Sequence, residues 1–391
     1  MSPPLLSASS LVAATSTEPP TQSGKPYIGG QAVIEGVMMR SPGSIAIVCR
    51  RKNGELVVRE EPAPGPPSGL RTWPVFRGML TLVDTIRLGS RALRWSAEHF
   101  EADYPDGDMP SPGTPTATSS LLSWVRLQVL AASAGLVAVA RSDGEPAAGG
   151  SGGSGGASGV LSVVLALTLF VLAPQAAAEG VTRLLGWENV ATTSAAFQAI
   201  TGAAKLVIVV AYFSFLRRIP LVYRLFQYHG AEHKTITTYE DGQELVVENA
   251  RQKSTRHARC GTTFVVMVAL VSILVFSAAG AFLPRIPGGR FAEHVGLFAM
   301  KLPLLPFVAG LTFELQRFFA KYCVTGPLRV LLFPGFVVQG ITTAQPDDAQ
   351  LEVALASLRA TLWREARREA PAPPDRTFES YEALSLDPGY G

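Results

Sequence analysis

Charge is what this sequence has least of. Of 391 residues only 17% are Asp, Glu, Lys or Arg, against roughly a quarter in a typical soluble domain. The hydrophobic fraction is an ordinary 47%, and the missing charge is replaced largely by 37 Gly and 29 Pro. The deficit is clustered. Residues 160–178 and 261–283 hold no charged side chain, and a bilayer-spanning helix needs about 20 such residues. This distribution excludes an ordinary soluble enzyme. Cysteine is also scarce: Cys49, Cys260 and Cys323 are too few and too scattered for a disulfide framework. The formal net charge of +3 is too small and too dispersed to imply nucleic-acid binding. A secretory leader pattern is missing as well. Residues 1–26 are rich in Ser, Thr and Pro without a basic start, and read as a disordered tail.

What is present falls into segments. Residues 27–100 read as a small α+β portion. Ser44–Arg50 and Glu55–Glu60 are β-branched runs flanking Lys52-Asn53-Gly54, and Asn-Gly is the strongest short hairpin signal. The spacing of Leu80, Val83, Ile86 and Leu93 against Arg77, Arg87, Arg91 and Arg94 predicts a basic amphipathic helix over 75–100, suited to a membrane surface or to a core beneath it. Residues 101–159 hold a Pro/Ser/Thr linker and a Gly/Ser connector at 142–159, with an apolar stretch at 121–140 between them. Four spans are expected, at 160–178, 197–216, 261–283 and 295–314, so that 160–216 and 261–319 form two transmembrane pairs. The fold class is therefore mainly α: a polytopic membrane protein of about four transmembrane helices with a hairpin-containing cytoplasmic portion.

Loop charge orients these spans. From Arg217 to Arg259 inclusive there are eight Lys/Arg, whereas the loop at 180–196 has only Arg183. The positive-inside rule then places the loop at 217–260 in the cytoplasm, together with both termini. A fifth span at 121–140 would put the basic helix outside, so that stretch is expected to be interfacial or re-entrant. Residues 320–362 read as a docking segment, apolar over Val330–Gln339, followed by a helix N-capped by Asp347 or Asp348. Leu351, Leu355, Leu358 and Leu362 form one stripe on it, a possible face for a protein partner. Residues 363–391 are expected to be a disordered tail.

Chemistry concentrates in the basic loop. Three of the chain's five histidines lie there: His229, His233 and His257. On a helix starting near Pro220, His229 and His233 are one turn apart with Glu232 beside them. This His-x-x-Glu-His order is the inverted form of the zinc-peptidase helix motif. Two imidazoles on one rigid helix suit a divalent transition metal, zinc above all, and a neighbouring carboxylate can take a proton from water. His257 or Cys260 would add a further ligand. Both together would close a structural site; one alone would leave a position open for catalysis. The blander alternative is a pair of core histidines bonded to Glu232.

A second feature is the stretch from Gly29 to Pro42, where paired glycines and methionines surround Glu35 and Arg40. It reads either as a loop presenting those two charges to a substrate or as a turn with a buried Glu35–Arg40 pair. Lys205, Lys301 and Glu314 lie in or at the ends of spans, where an ionisable group is costly unless paired or snorkelling. His99 and His294 stand alone.

Three stretches resemble the YqhQ family of bacterial membrane proteins: GGQAVIEGVMMRSP at 29–42; YHGAEHKTI at 228–236 with ENAR at 248–251 and HARCGT at 257–262; and QGITT at 339–343 with PDDAQLEVAL at 346–355. The likeness covers about 27–100 and 160–362. That family is a domain of unknown function often described as a predicted metal-dependent enzyme, so the resemblance implies a multi-span inner-membrane protein with cytoplasmic motifs. Carried over by position, it points to Gln31, Glu35, Arg40, His229, Glu232, His233, Lys234, Glu248, Asn249, Arg251, His257, Arg259 and Cys260, with Glu314 and Gln339. The chain departs from the pattern in the 142–159 connector, in both tails, and at Ala344-Gln345, where a charged pair is more usual.

These observations lead to a membrane-integral, metal-dependent, hydrolase-like enzyme. His229, His233 and His257 or Cys260 would be ligands, Glu232 the general base, and Glu35 and Arg40 substrate or supporting groups. The alternatives are a non-enzymatic scaffold or assembly factor with a structural histidine cluster and, more weakly, a transporter using Lys205.

Overall fold

Strand alternation and two-sided burial organise the non-membrane part of the chain. The computed structural model describes residues 25–65, 69–104, 164, 168–187, 190–280, 289–323 and 326–390. Five antiparallel strands, β1 (Gly29–Val33), β2 (Gly36–Arg40), β3 (Ser44–Arg50), β4 (Leu56–Pro62) and β5 (Arg376–Phe378), pair in chain order. The expected hairpin is β3–β4, closed at Arg50↔Leu56 with Gly54 at φ 94°. The glycine-rich stretch is itself a hairpin. Val33 pairs with Gly36 across the two-residue link Ile34-Glu35, and Glu35 takes a positive φ of 50°. Gly36 is obligatory there, because a Cβ would lie 2.3 Å from the Val48 carbonyl.

The helices are α1 (Phe76–Asp103), α2 (Ala173–Leu184), α3 (Ala195–Leu216), α4 (Pro220–Glu240), α5 (Val247–Arg251), α6 (Gly261–Gly280), α7 (Gly289–Lys301), α8 (Leu305–Tyr322), α9 (Phe333–Thr342), α10 (Asp348–Ala366) and α11 (Tyr381–Leu386). Side chains of alternate strand residues point to opposite faces, and both faces are covered. Val37, Met39, Ala46, Val48 and Val58 pack against α10 and the buried face of α4. Val33, Met38, Ile45, Ile47 and Val57 pack against Leu88, Ala92 and Trp95 of α1. The helix expected over 75–100 is thus α1, but Leu88, Ala92 and Trp95 cover the sheet; of the expected stripe only Leu93 packs beside them, and Val83 is exposed.

Three segments among the described residues are long and apolar enough to cross a membrane: Ala195–Leu216, Gly261–Ala279 and Ala292–Tyr322. The last runs through α7 and α8 with a 3-10 turn at Leu302–Leu304, where Pro303 interrupts the α ladder. The span expected at 160–178 is described only at 164 and from 168, where a π-helical turn, Thr168–Leu172, leads into α2. The stretch at 121–140 and the tail before residue 25 lie outside the described residues. Lys205 donates to Ser272 Oγ at 3.2 Å and Lys301 to Gln198 Oε1 at 3.1 Å. Glu314 is paired rather than snorkelling, accepting from Arg77 of α1 (Nε to Oε1 2.6 Å). The two helices approach closely there, since a Cβ on Gly78 would lie 2.9 Å from the Gly310 carbonyl.

Two expectations for the C-terminal region are corrected. The leucine stripe of α10 is not a face for a partner: Leu351, Leu355 and Leu358 are buried against the sheet. Nor is 363–391 a disordered tail. It adds β5 to the sheet edge at Leu56↔Phe378, and Leu384 and Tyr390 enter the core. Its polar composition conceals a few well-spaced apolar anchors. The N-cap expectation holds: Asp347 and Gln350 form a reciprocal capping box on α10.

Candidate metal centre

Pro220 opens α4 at a position where a missing N–H costs nothing. The helix then carries His229 and His233 on one face, their ring centroids 4.5 Å apart. Each imidazole is oriented by a backbone carbonyl. His229 Nδ1 lies 2.9 Å from Thr342 O and His233 Nδ1 2.6 Å from Thr255 O. A carbonyl only accepts, so both Nδ1 atoms carry a proton and each ring is left with Nε2 as the atom that would meet a metal ion. Cys260 meets them: its Sγ is 3.2 Å from His229 Nε2. The ligand atoms of His229, His233 and Cys260 all lie within 4.8 Å of one another. Tetrahedral zinc would separate such atoms by about 3.3–3.6 Å, so small rotamer shifts bring the group to coordination distance. Carbonyls that fix ring orientation are the usual support for metal-binding histidines.

The loop bearing Cys260 is held firmly. Gln339 of α9, fully buried, accepts from His257 N–H at 2.9 Å and donates to His257 O at 2.9 Å. Lys234 donates to the carbonyls of Arg251 and Lys253 at 2.7 and 2.6 Å. Lys234 and Gln339 therefore position the site without joining it.

Charge within the group is polarised. Burial opposes a thiolate at Cys260, but His229 and His233 override it and bring the thiol well below its ordinary range. Burial likewise lowers His229, and the adjacent Cys260 more than reverses this, to about 9. Glu232 is 5% exposed and makes no hydrogen bond among the described residues. Burial raises its carboxyl, partly offset by His229 and His233.

Glu232 borders a cavity of about 370 Å³ that His229, His233, His257 and Cys260 also line, with Gly29–Ala32 of β1 opposite. Gly30 lets strand and carboxylate approach, since a Cβ there would sit 2.8 Å from Glu232 Cγ.

The remaining expected residues divide. His257 lines the cavity with its ring 5.7 Å from His233, but its Nε2 is turned to Glu240 at 3.3 Å. Burial lowers it, so it is neutral at neutral pH. Of the two candidate further ligands, the geometry brings Cys260 into the group. Glu35 and Arg40 do not form a pair. Arg40 ends β2, five strand residues and roughly 17 Å along the chain from Glu35. Glu35 instead binds Arg224 (Nε to Oε1 2.6 Å) and accepts from Tyr228 at 3.2 Å. Neither residue lines the cavity. The orienting carbonyls of Thr255 and Thr342 could not be read from side-chain chemistry, although Thr342 lies in the QGITT stretch. Elsewhere, Cys49 and Cys323 are buried and free, His99 bonds Trp95 O at 2.9 Å, and His294 approaches Glu179 at 3.5 Å.

Residues 73–364 match the family model described as Protein of unknown function (DUF1385). The chain is 30% identical over 347 residues to "Uncharacterized protein YqhQ" of Bacillus subtilis (strain 168), covering 88% of this chain and 95% of that protein. No solved structure matches it.

Proposed function

Because the chain belongs to the YqhQ family of proteins carrying the DUF1385 domain, we propose, from its own site, that it is a metal-dependent hydrolase whose centre lies at the cytoplasmic face of a membrane. The observation that carries this reading is the convergence of His229, His233 and Cys260 beside a buried Glu232 that has no hydrogen-bond partner among the described residues. Two imidazoles and a thiolate are a zinc-type donor set with one tetrahedral position open. When bound, such an ion supplies Lewis-acid polarisation and makes a strong nucleophile available at neutral pH. Glu232, with its carboxyl raised by burial, is placed to accept a proton from water and return it to a leaving group. The carbonyls of Thr342 and Thr255 keep both histidines in the tautomer the reaction needs.

Metal analysis of detergent-purified protein tests this. About one equivalent of zinc or a similar ion is expected in wild type, falling below about a tenth in His233→Ala. Wild type with less than about a tenth of an equivalent, freshly purified, would sink the reading. The same cluster also ties α4 to α9 and to the 255–260 loop through its hydrogen bonds, which favours a structural metal as the second reading. Glu232→Gln separates the two: a catalytic centre loses its cellular function while keeping metal, and a structural one loses neither.

A further inference from the structure

β1 is an edge strand, and its free edge opens where the metal centre lies. Which backbone groups face that edge follows from the register. Arg50 N–H donates to Glu35 O at 2.8 Å, so Glu35, Val37 and Met39 direct their backbone groups toward β3, as alternation along an antiparallel ladder requires. Their β1 partners, Ala32 opposite Val37 and Gly30 opposite Met39, must then turn N–H and C=O away from β2. Neither N–H reaches an acceptor among the described residues. Gly30 is exposed and borders both Glu232 and the cavity. An unpaired edge is normally blunted by Pro, Lys or a bulge. This one carries Gly-Gly and is left open beside Glu232.

We propose that the free edge of β1 receives an extended polypeptide segment as an added strand, laying its backbone across Glu232 and the His229–His233–Cys260 group as substrate. A row of alternating N–H and C=O groups at the spacing of a strand is complementary to an extended peptide backbone. A strand added there lies about 4.8 Å from β1, and the cavity borders β1 along Gly29–Ala32. The inference rests on the hydrolase reading for its chemistry. Water adds its oxygen to the amide carbonyl carbon and the C–N bond breaks. Glu232 takes the proton from water and delivers it to the leaving nitrogen, giving a carboxylate and an amine.

Binding is measured on the detergent-purified full chain carrying Glu232→Gln, so that hydrolysis does not interfere. The probe is fluorescein-labelled, reduced and carboxymethylated casein. Ala32→Pro removes one outward N–H without touching the β1–β2 ladder and is expected to weaken casein binding about tenfold, with metal content and thermal midpoint unchanged. In the unaltered strand, casein should slow amide exchange at Gly30 and Ala32. Casein bound with unchanged exchange at both amides overturns the proposal, as does wild-type affinity in a folded Ala32→Pro protein. Displacement of casein by short-chain phosphatidylglycerol, with no effect of Ala32→Pro, assigns the cavity to lipid and also overturns it. A protein without metal that still binds casein in an edge-dependent way sinks the hydrolase reading and leaves the strand site standing.

Discussion

Glu35 occupies a left-handed backbone conformation (φ 50°) that a non-glycine residue rarely adopts. Its carboxylate is gripped by Arg224 and Tyr228, and its carbonyl accepts from Arg50 N–H. The side chains of Glu35 and Arg224 are only 12% and 27% exposed, so removing one partner leaves the other desolvated. Glu35→Gln should therefore cost about 2–4 kcal/mol. Glu35→Gln with Arg224→Met should cost clearly less than the two single changes added. Unfolding of detergent-solubilised protein measures the cycle, and a coupling under about 0.5 kcal/mol would show that the pair does not hold the hairpin. At this scale the site was only half legible. His229, Glu232 and His233 announce themselves through helical spacing, because side chains one turn apart must share a face. The choice between His257 and Cys260 depends on how the 255–260 loop turns, and the partner of Glu35 lies 189 residues away, beyond any local pattern.

Elements carry their own signals unevenly. The β3–β4 hairpin was visible because Asn53-Gly54 supplies the positive φ the turn needs, and α1 because its period is unmistakable. β1 and β2 were not, because paired glycines look like loop until Gly36 and Gly30 are seen to be required by close contacts with Val48 and Glu232. The leucine spacing of α10 marks an apolar face, but periodicity gives a face and never its occupant, which here is the sheet and not an outside partner. Leu355 is fully buried between sheet and helix, so Leu355→Ala should destabilise by about 2–5 kcal/mol. A loss under about 1 kcal/mol would mean α10 does not seal the sheet. Asp103 at the end of α1 grips Arg51 on the β3–β4 turn, Oδ2 to Nε at 2.7 Å. Hydrogen bonding to Arg51 outweighs the cost of burial and lowers the Asp103 carboxyl. A depressed folded value means that the contribution to stability is fully present above the unfolded value of about 3.9 and is lost as pH falls through the folded one. Asp103→Asn should thus remove part of the acid sensitivity of unfolding, and superimposable acid curves for the two proteins would count against the clasp.

For the whole molecule, packing constrains the path through the bilayer. The sheet built from residues 29–62 lies directly on α4, which separates the first two described spans, and on α10, which follows the third. Elements in one packed body occupy one side of a membrane. If α3, α6 and the α7–α8 segment each cross once, α4 and α10 fall on the same side without further assumption. The amino-terminal strands join them only if the chain crosses an odd number of times between α1 and α3. This supports the fourth span proposed from hydropathy near 160–178, and the eight Lys/Arg from Arg217 to Arg259 inclusive favour the cytoplasm for the shared side. Of the three native cysteines Cys49 and Cys323 are buried but Cys260 lines the cavity, so the parent protein labelled in parallel supplies the background against which one introduced thiol is read. Ser254, exposed on the α4–α6 loop, should as Ser254→Cys be protected from membrane-impermeant maleimide in intact cells and react once the membrane is permeabilised. Ala191, exposed just before α3, should as Ala191→Cys react in intact cells. Reversal of the two patterns would place the metal centre on the outer face. Labelling of both in intact cells would rule out a crossing by α3 and with it the bilayer path argued from packing.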